Sequence, residues 1–115
     1  MQLKNLKSKP IYELRGVVTQ SGANYFTITV NSELVIKVYG PLTASETLVI
    51  DADKMTAKVV ETLTGTTIRN GLAQLETLTF PELLPGVNTI DVAATNGTFT
   101  ALKIYSRSGH ISNGI

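Results

Sequence analysis

Alternation of apolar and polar side chains is the feature that most constrains what this chain can fold into. Residues 25–30 alternate strictly, and residues 34–39 resume the pattern after the polar pair Asn31-Ser32. A period of two is that of a strand with one buried face. Two such runs joined by a short polar link predict a β-hairpin.

The rest of the chain is also built for strands. Thr, Val and Ile supply 35 of the 115 residues, and nine Gly and four Pro interrupt the apolar runs at short intervals. Branched side chains pack well on a pleated surface and lose rotamer freedom in helices. About eight strands in two packed antiparallel sheets, an all-β sandwich, are therefore predicted. The remaining predicted strands are 11–15, 47–50, 55–60, 89–94 and 98–105.

Two stretches give local signals of different strength. Asn96-Gly97 predicts a type I′ hairpin turn between the last two strands, because both residues accept positive φ. Residues 71–80 have apolar positions that fit either a strand or a helical turn. We favour a strand, since Thr77 and Thr79 flank Leu78 and Pro81 ends the run.

Composition excludes several classes of protein. The net charge of +1 lacks the clustered Lys and Arg of a nucleic-acid binder. Without cysteine there is no disulfide, thiolate nucleophile or Cys-ligated zinc. No apolar run approaches the roughly 20 residues of a membrane span, and the Lys-rich start does not resemble a secretory signal. We expect an N-terminal arm at 1–9, a sandwich domain at 10–107 and a C-terminal tail at 108–115.

Residues with catalytic or metal-binding chemistry are few. The single histidine, His110, lies in the Gly-rich tail with no partner for a triad or a metal cluster. Asp51 and Asp53 could hold a cation, but they lack a third acidic ligand, so a solvated corner is favoured. Asp91 lies on the polar face of a predicted strand without an evident acid–base partner. The sequence thus predicts no enzyme, no cofactor and no metal.

One group of side chains could bind a sugar. Tyr25 and Tyr39 are expected on the outward face of the hairpin, with Asn31 nearby. Aromatic rings with a polar neighbour are typical of a carbohydrate platform. The alternative is that the tyrosines cover the sheet or pack against a neighbouring chain, and we favour it.

Four ordered blocks resemble a known family. "SKPIYELRG" at 8–16 is similar to "SKPII-x-I-x-G", and "ITVN" at 28–31 to "ITIN". "LVIDADKMTA" at 48–57 is similar to "ITIDSEKMEA", and "FPELLPGVNTI" at 80–90 to "FP-x-L-x-PG-x-NTI". In this order and spacing, these blocks resemble the C-terminal domain of siphophage distal tail proteins, and the resemblance covers roughly residues 5–107.

The resemblance implies a galectin-like sandwich in a virion. It assigns a structural loop to Pro81, Pro85, Gly86 and Asn88, and we expect Asn88 to hydrogen-bond the loop backbone. The ring-forming N-terminal part of full-length relatives is not in this sequence, so that role is not carried over. The galectin sugar signature, a His-Asn-x-Arg strand with a downstream Trp, is absent.

Our first hypothesis is a non-enzymatic structural component of a phage tail tip. It would be made in the host cytoplasm, dock on other tail proteins, form homo-oligomers in the virion and contribute to host attachment. Both terminal segments would contact neighbouring subunits. The alternative is a carbohydrate-binding module that recognises host cell-surface polysaccharide. A small glycosidase is the third hypothesis.

Overall fold

A computed structural model describes residues 9–76 and 80–105. These residues form eight strands and one 3-10 helix, Leu72–Gln74. The strands are β1 Ile11–Val17, β2 Tyr25–Val30, β3 Leu34–Tyr39, β4 Glu46–Asp51, β5 Thr56–Glu61, β6 Thr67–Asn70, β7 Ile90–Thr95 and β8 Thr98–Tyr105.

The strands form two antiparallel sheets. One sheet has five strands in the order β6-β5-β4-β1-β8, and the other has three in the order β3-β2-β7. The predicted hairpin of β2 and β3 is present, with Tyr25 opposite Tyr39 and Val30 opposite Leu34. The all-β sandwich and its strand count are confirmed.

Alternation along the strands builds the core. In β1 and β2 every second residue is buried, so each strand sends one face inward. Both sheets contribute to a single hydrophobic cluster. Its largest fully buried side chains include Tyr12, Leu14, Phe26, Ile28, Ile36, Leu48 and Ile50.

A glycine lets the two sheets approach closely at one end. Gly16 of β1 is buried, and a Cβ atom added there would lie 2.6 Å from both Phe26 Cζ and the Thr98 carbonyl oxygen. The pairing of β1 with β8 shifts register between Arg15 and Gly16. Such a bulge bends the strand locally. The Phe26 ring therefore packs directly on the β1 backbone.

The hairpin prediction at Asn96-Gly97 is wrong. This turn joins β7, which pairs with β2, to β8, which pairs with β1, so it passes from one sheet to the other. Of the two residues, only Asn96 has a positive φ, 55°. Its side-chain amide donates to the Ala23 carbonyl at 2.9 Å, which ties this turn to the loop before β2.

The segment between β5 and β7 also differs from the prediction. Residues 67–70 form β6, a strand that the sequence pattern does not predict in this Thr-rich stretch. It lies at the edge of the five-stranded sheet. The strand favoured for 71–80 is replaced at its start by the 3-10 helix. The Thr77–Thr79 part of that prediction lies outside the described residues. So do the predicted arm, apart from Lys9, and the whole predicted C-terminal tail.

We expect Gly16→Ala to destabilise the sandwich by about 1–3 kcal/mol, because its Cβ atom would overlap the Thr98 backbone and the Phe26 ring. Urea denaturation followed by circular dichroism measures the change. Gly22→Ala is the matched control: a Cβ atom there meets no atom within 4 Å. If Gly22→Ala lost as much stability as Gly16→Ala, the result would contradict the role assigned to the close contact at Gly16.

Candidate functional site

The two tyrosines of the predicted sugar platform do lie together. Tyr25 and Tyr39 are cross-strand partners, and their ring centroids are 5.8 Å apart at an interplanar angle of 71°. The Lys37 ammonium lies 4.1 Å from the Tyr25 centroid and 5.4 Å from that of Tyr39. This is a cation–π arrangement, in which the lysine occupies ring surface that a sugar would need.

Glu76 pairs with two members of the cluster, Lys37 and Tyr39. Its carboxylate lies 3.4 Å from Lys37 Nζ and accepts a hydrogen bond from the Tyr39 hydroxyl. The hydrogen bonds from Tyr39 and Lys37 hold the pKa of Glu76 below its ordinary value. The hydrogen bond with Tyr39 and the contact with Glu76 raise the pKa of Lys37. The cluster is therefore a neutral, internally paired group on the outer face of the three-stranded sheet.

Asn31 does not join this cluster. It lies six residues beyond Tyr25 at the other end of the hairpin, about 20 Å away along an extended strand. Its amide nitrogen donates to Asn88 Oδ1 at 2.9 Å, and its amide oxygen accepts from the Thr89 backbone at 2.9 Å. The three residues predicted as one sugar site are thus two tyrosines together and an asparagine used in a loop contact.

The loop that leads into β7 is held by side chains. Asn88 accepts from the Leu84 amide at 2.8 Å and donates to the carbonyls of Leu84 and Gly86, as expected from the sequence. Gly86 has a positive φ of 86°. At the start of the loop, the Tyr12 hydroxyl donates to the Pro81 carbonyl at 2.8 Å. Burial raises the pKa of Tyr12 to about 12, so this donor stays protonated.

The acidic candidates do not form a site. Asp51 is 8% exposed, and its Oδ1 accepts from the backbone amides of Asp53 and Lys54, so the carboxylate stabilises the turn after β4. Asp91 lies opposite Thr29 on an edge strand. Within residues 9–76 and 80–105 no cluster of three metal-ligating side chains occurs. His110 lies outside the described residues.

A polar network that the sequence did not reveal joins the ends of several strands. Arg69 Nη1 donates to Glu46 Oε2 at 3.2 Å, and Arg69 Nε donates to Gln74 Oε1 at 3.1 Å. Arg69 Nη2 and Gln74 Nε2 both donate to the Pro41 carbonyl. Glu46 and Arg69 are 23 residues apart and carry no local motif, so only the fold brings them together.

The outer face of the five-stranded sheet is grooved. A groove of about 230 Å³ lies along β1, β4 and β8, with Glu13, Arg15, Thr47, Val49 and Lys103 among its lining residues. A second groove of about 460 Å³ shares Val49 and extends to Lys54, Lys58 and Asn70. The two grooves form a recess across the sheet.

Comparison with known protein families identifies the family of this chain. Residues 7–105 match the family described as Siphovirus-type tail component, C-terminal domain. The chain belongs to this family. It is therefore a component of the phage tail, and the resemblance found in the sequence is confirmed. No curated protein and no solved structure matches the chain.

Members of the siphovirus tail-component family are structural parts of a tail. Among the acidic candidates of this chain, Asp51 accepts hydrogen bonds from the backbone of the turn after β4. In the part of the chain that the structure describes, no helix is long and apolar enough to cross a membrane.

The Arg69–Glu46 contact predicts a pH dependence of stability. Burial alone would raise the pKa of Glu46, but the hydrogen bonds from Arg69 and the Thr43 amide overcome it and lower the pKa from 4.5. A lowered pKa in the folded state means that the contribution is present above pH 4.5 and is lost as the pH falls through the folded value. We expect Glu46→Gln to cost about 1–2 kcal/mol at pH 7.

Urea unfolding at several pH values measures this difference. The difference in free energy of unfolding between wild type and Glu46→Gln should become smaller as the pH falls below 4.5. Glu33→Gln, an exposed turn substitution, is the control and should change stability by less than about 0.5 kcal/mol. A gap that stays constant from pH 7 to pH 3 would contradict the assigned role of Glu46.

Proposed function

We propose that this chain is a non-enzymatic structural module of the distal end of a siphophage tail, which docks on neighbouring tail proteins and contributes to host attachment. The observation that carries the proposal is the family match, which spans residues 7–105 and so includes the whole described sandwich. Synthesis in the host cytoplasm and several copies per virion are parts of the same proposal.

The chemistry of the surface supports docking over catalysis. Catalytic acid–base pairs need carboxylates that are free to exchange protons. Here Glu46 and Glu76 are ion-paired, and Asp51 accepts from its own turn. The sandwich instead offers broad sheet faces and strand edges, which are surfaces that bind other proteins.

Purified virions test the docking role. We expect antibodies against the chain to label the tail tip in electron micrographs, and mass spectrometry to find the chain at several copies per particle. Antibodies against a capsid protein are the control for labelling position. Absence of the chain from purified tails, or turnover of a glycan by the purified chain, would contradict the proposal.

Carbohydrate binding is the second candidate, because Tyr25 and Tyr39 lie side by side on an outer face. The docking role is better supported, since Lys37 occupies ring surface and Glu76 engages the Tyr39 hydroxyl. The paired tyrosines and lysine form a group that is complete without a sugar.

Calorimetry with host cell-wall polysaccharide decides between the two candidates. We expect no saturable heat with the wild type and no difference between wild type and Tyr39→Ala. Tyr105→Ala, on the other sheet, is the control for nonspecific contact. Saturable binding that Tyr39→Ala abolishes and Tyr105→Ala preserves would establish the sugar-binding alternative.

A further inference from the structure

Arg15 is a basic side chain with an unmet hydrogen-bonding requirement. It lies on β1 and points away from the core, since its neighbours Leu14 and Gly16 face inward. Solvent does not reach Arg15 Nε, and no described residue accepts a hydrogen bond from it. A buried donor without an acceptor costs free energy, and such an atom calls for an explanation.

Two other cations among the described residues each have a carboxylate partner, which Arg15 lacks. Lys37 lies 3.4 Å from Glu76, and Arg69 lies 3.2 Å from Glu46. Arg15 has no described carboxylate within ion-pair distance, although Glu13 lines the same groove. Glu13 Oε1 instead accepts a hydrogen bond from the Tyr105 hydroxyl at 3.4 Å.

The surroundings of Arg15 carry more positive than negative charge. Lys103 lines the groove beside Arg15, and Lys54 and Lys58 line the adjoining groove. On the acidic side, Glu13 lines the first groove and Asp51 the second, where one Asp51 oxygen already accepts two backbone amides. A negatively charged segment is the complementary occupant of this recess.

Geometry and apolar content favour a polypeptide over a sugar or a phosphate polymer. Among the described residues no aromatic ring lines either groove, whereas Val49, Val60 and Ala101 line the groove beside Arg15. Alternate side chains of an extended peptide could use such apolar surface. The planar guanidinium edge formed by Nε and one Nη atom matches the two oxygens of a carboxylate.

We propose that the groove beside Arg15 binds a Glu or Asp carboxylate from an extended acidic segment of a neighbouring tail protein. On binding, the Arg15 side chain turns so that one Nη atom and Nε, which solvent does not reach in the free chain, face the groove and donate to the carboxylate. The segment then lies across β4, β1 and β8. This inference rests on the proposed docking function and names the surface that performs it.

A synthetic peptide tests the groove directly. The probe is a fluorescein-labelled decapeptide of five Glu-Val repeats, and fluorescence anisotropy measures its dissociation constant with the full chain. We expect saturable binding that weakens about tenfold or more in Arg15→Gln and severalfold in Arg15→Lys, because lysine lacks the planar edge. Lys37→Gln, on the other sheet, should stay within about twofold of wild type. Circular dichroism verifies that each variant is folded.

Three results would overturn the inference. The first is absence of peptide binding by the wild type, and the second is equal binding by Arg15→Gln and wild type. The third is displacement of the peptide by inorganic polyphosphate at the same charge concentration, which would make the recess a general anion surface. Each result leaves the virion-labelling test unaffected, so failure of the groove and failure of the docking function are distinguishable.

Discussion

The contact between Phe26 and the backbone at Gly16 sets how the two sheets meet. Phe26 belongs to the three-stranded sheet and Gly16 to the five-stranded sheet, and no Cβ atom would fit between them without a shift. The inward alternation of β1 and β2 depends on this spacing, because Tyr12, Leu14 and Ile28 are fully buried only when the sheets lie close. Dense packing leaves no room to adjust one contact alone.

Hydrogen bonds made by polar side chains stabilise the two ends of the sandwich, outside the hydrophobic core. At the Tyr39 end, Arg69 and Gln74 bond the strand ends through the Pro41 carbonyl. At the opposite end of the hairpin, Asn31 and Asn88 bond each other and the backbone that enters β7. Each donor and acceptor in these networks has a partner, which is the condition under which buried polar groups stabilise a fold.

The sequence predicted what repeats locally and missed what depends on distant partners. The alternation at 25–30 and 34–39 was sufficient to place a hairpin, since its period is visible within each strand. Asn96-Gly97 also predicts a turn correctly, but β7 and β8 do not pair with each other, because β7 pairs with β2 in one sheet and β8 pairs with β1 in the other. Asn31 does not lie beside the tyrosines, because it lies at the turn of the hairpin and they lie at its open end.

The two outer faces of the sandwich differ in a way that bears on the role of a tail component. On the three-stranded sheet, the charge of Lys37 is paired within the chain by Glu76 and by two tyrosine rings. On the five-stranded sheet, Arg15 keeps a donor away from both solvent and described acceptors. An unsatisfied buried donor costs free energy in the isolated domain. In the proposed complex, the acidic segment of a neighbouring tail protein supplies the acceptor once the Arg15 side chain turns toward the groove.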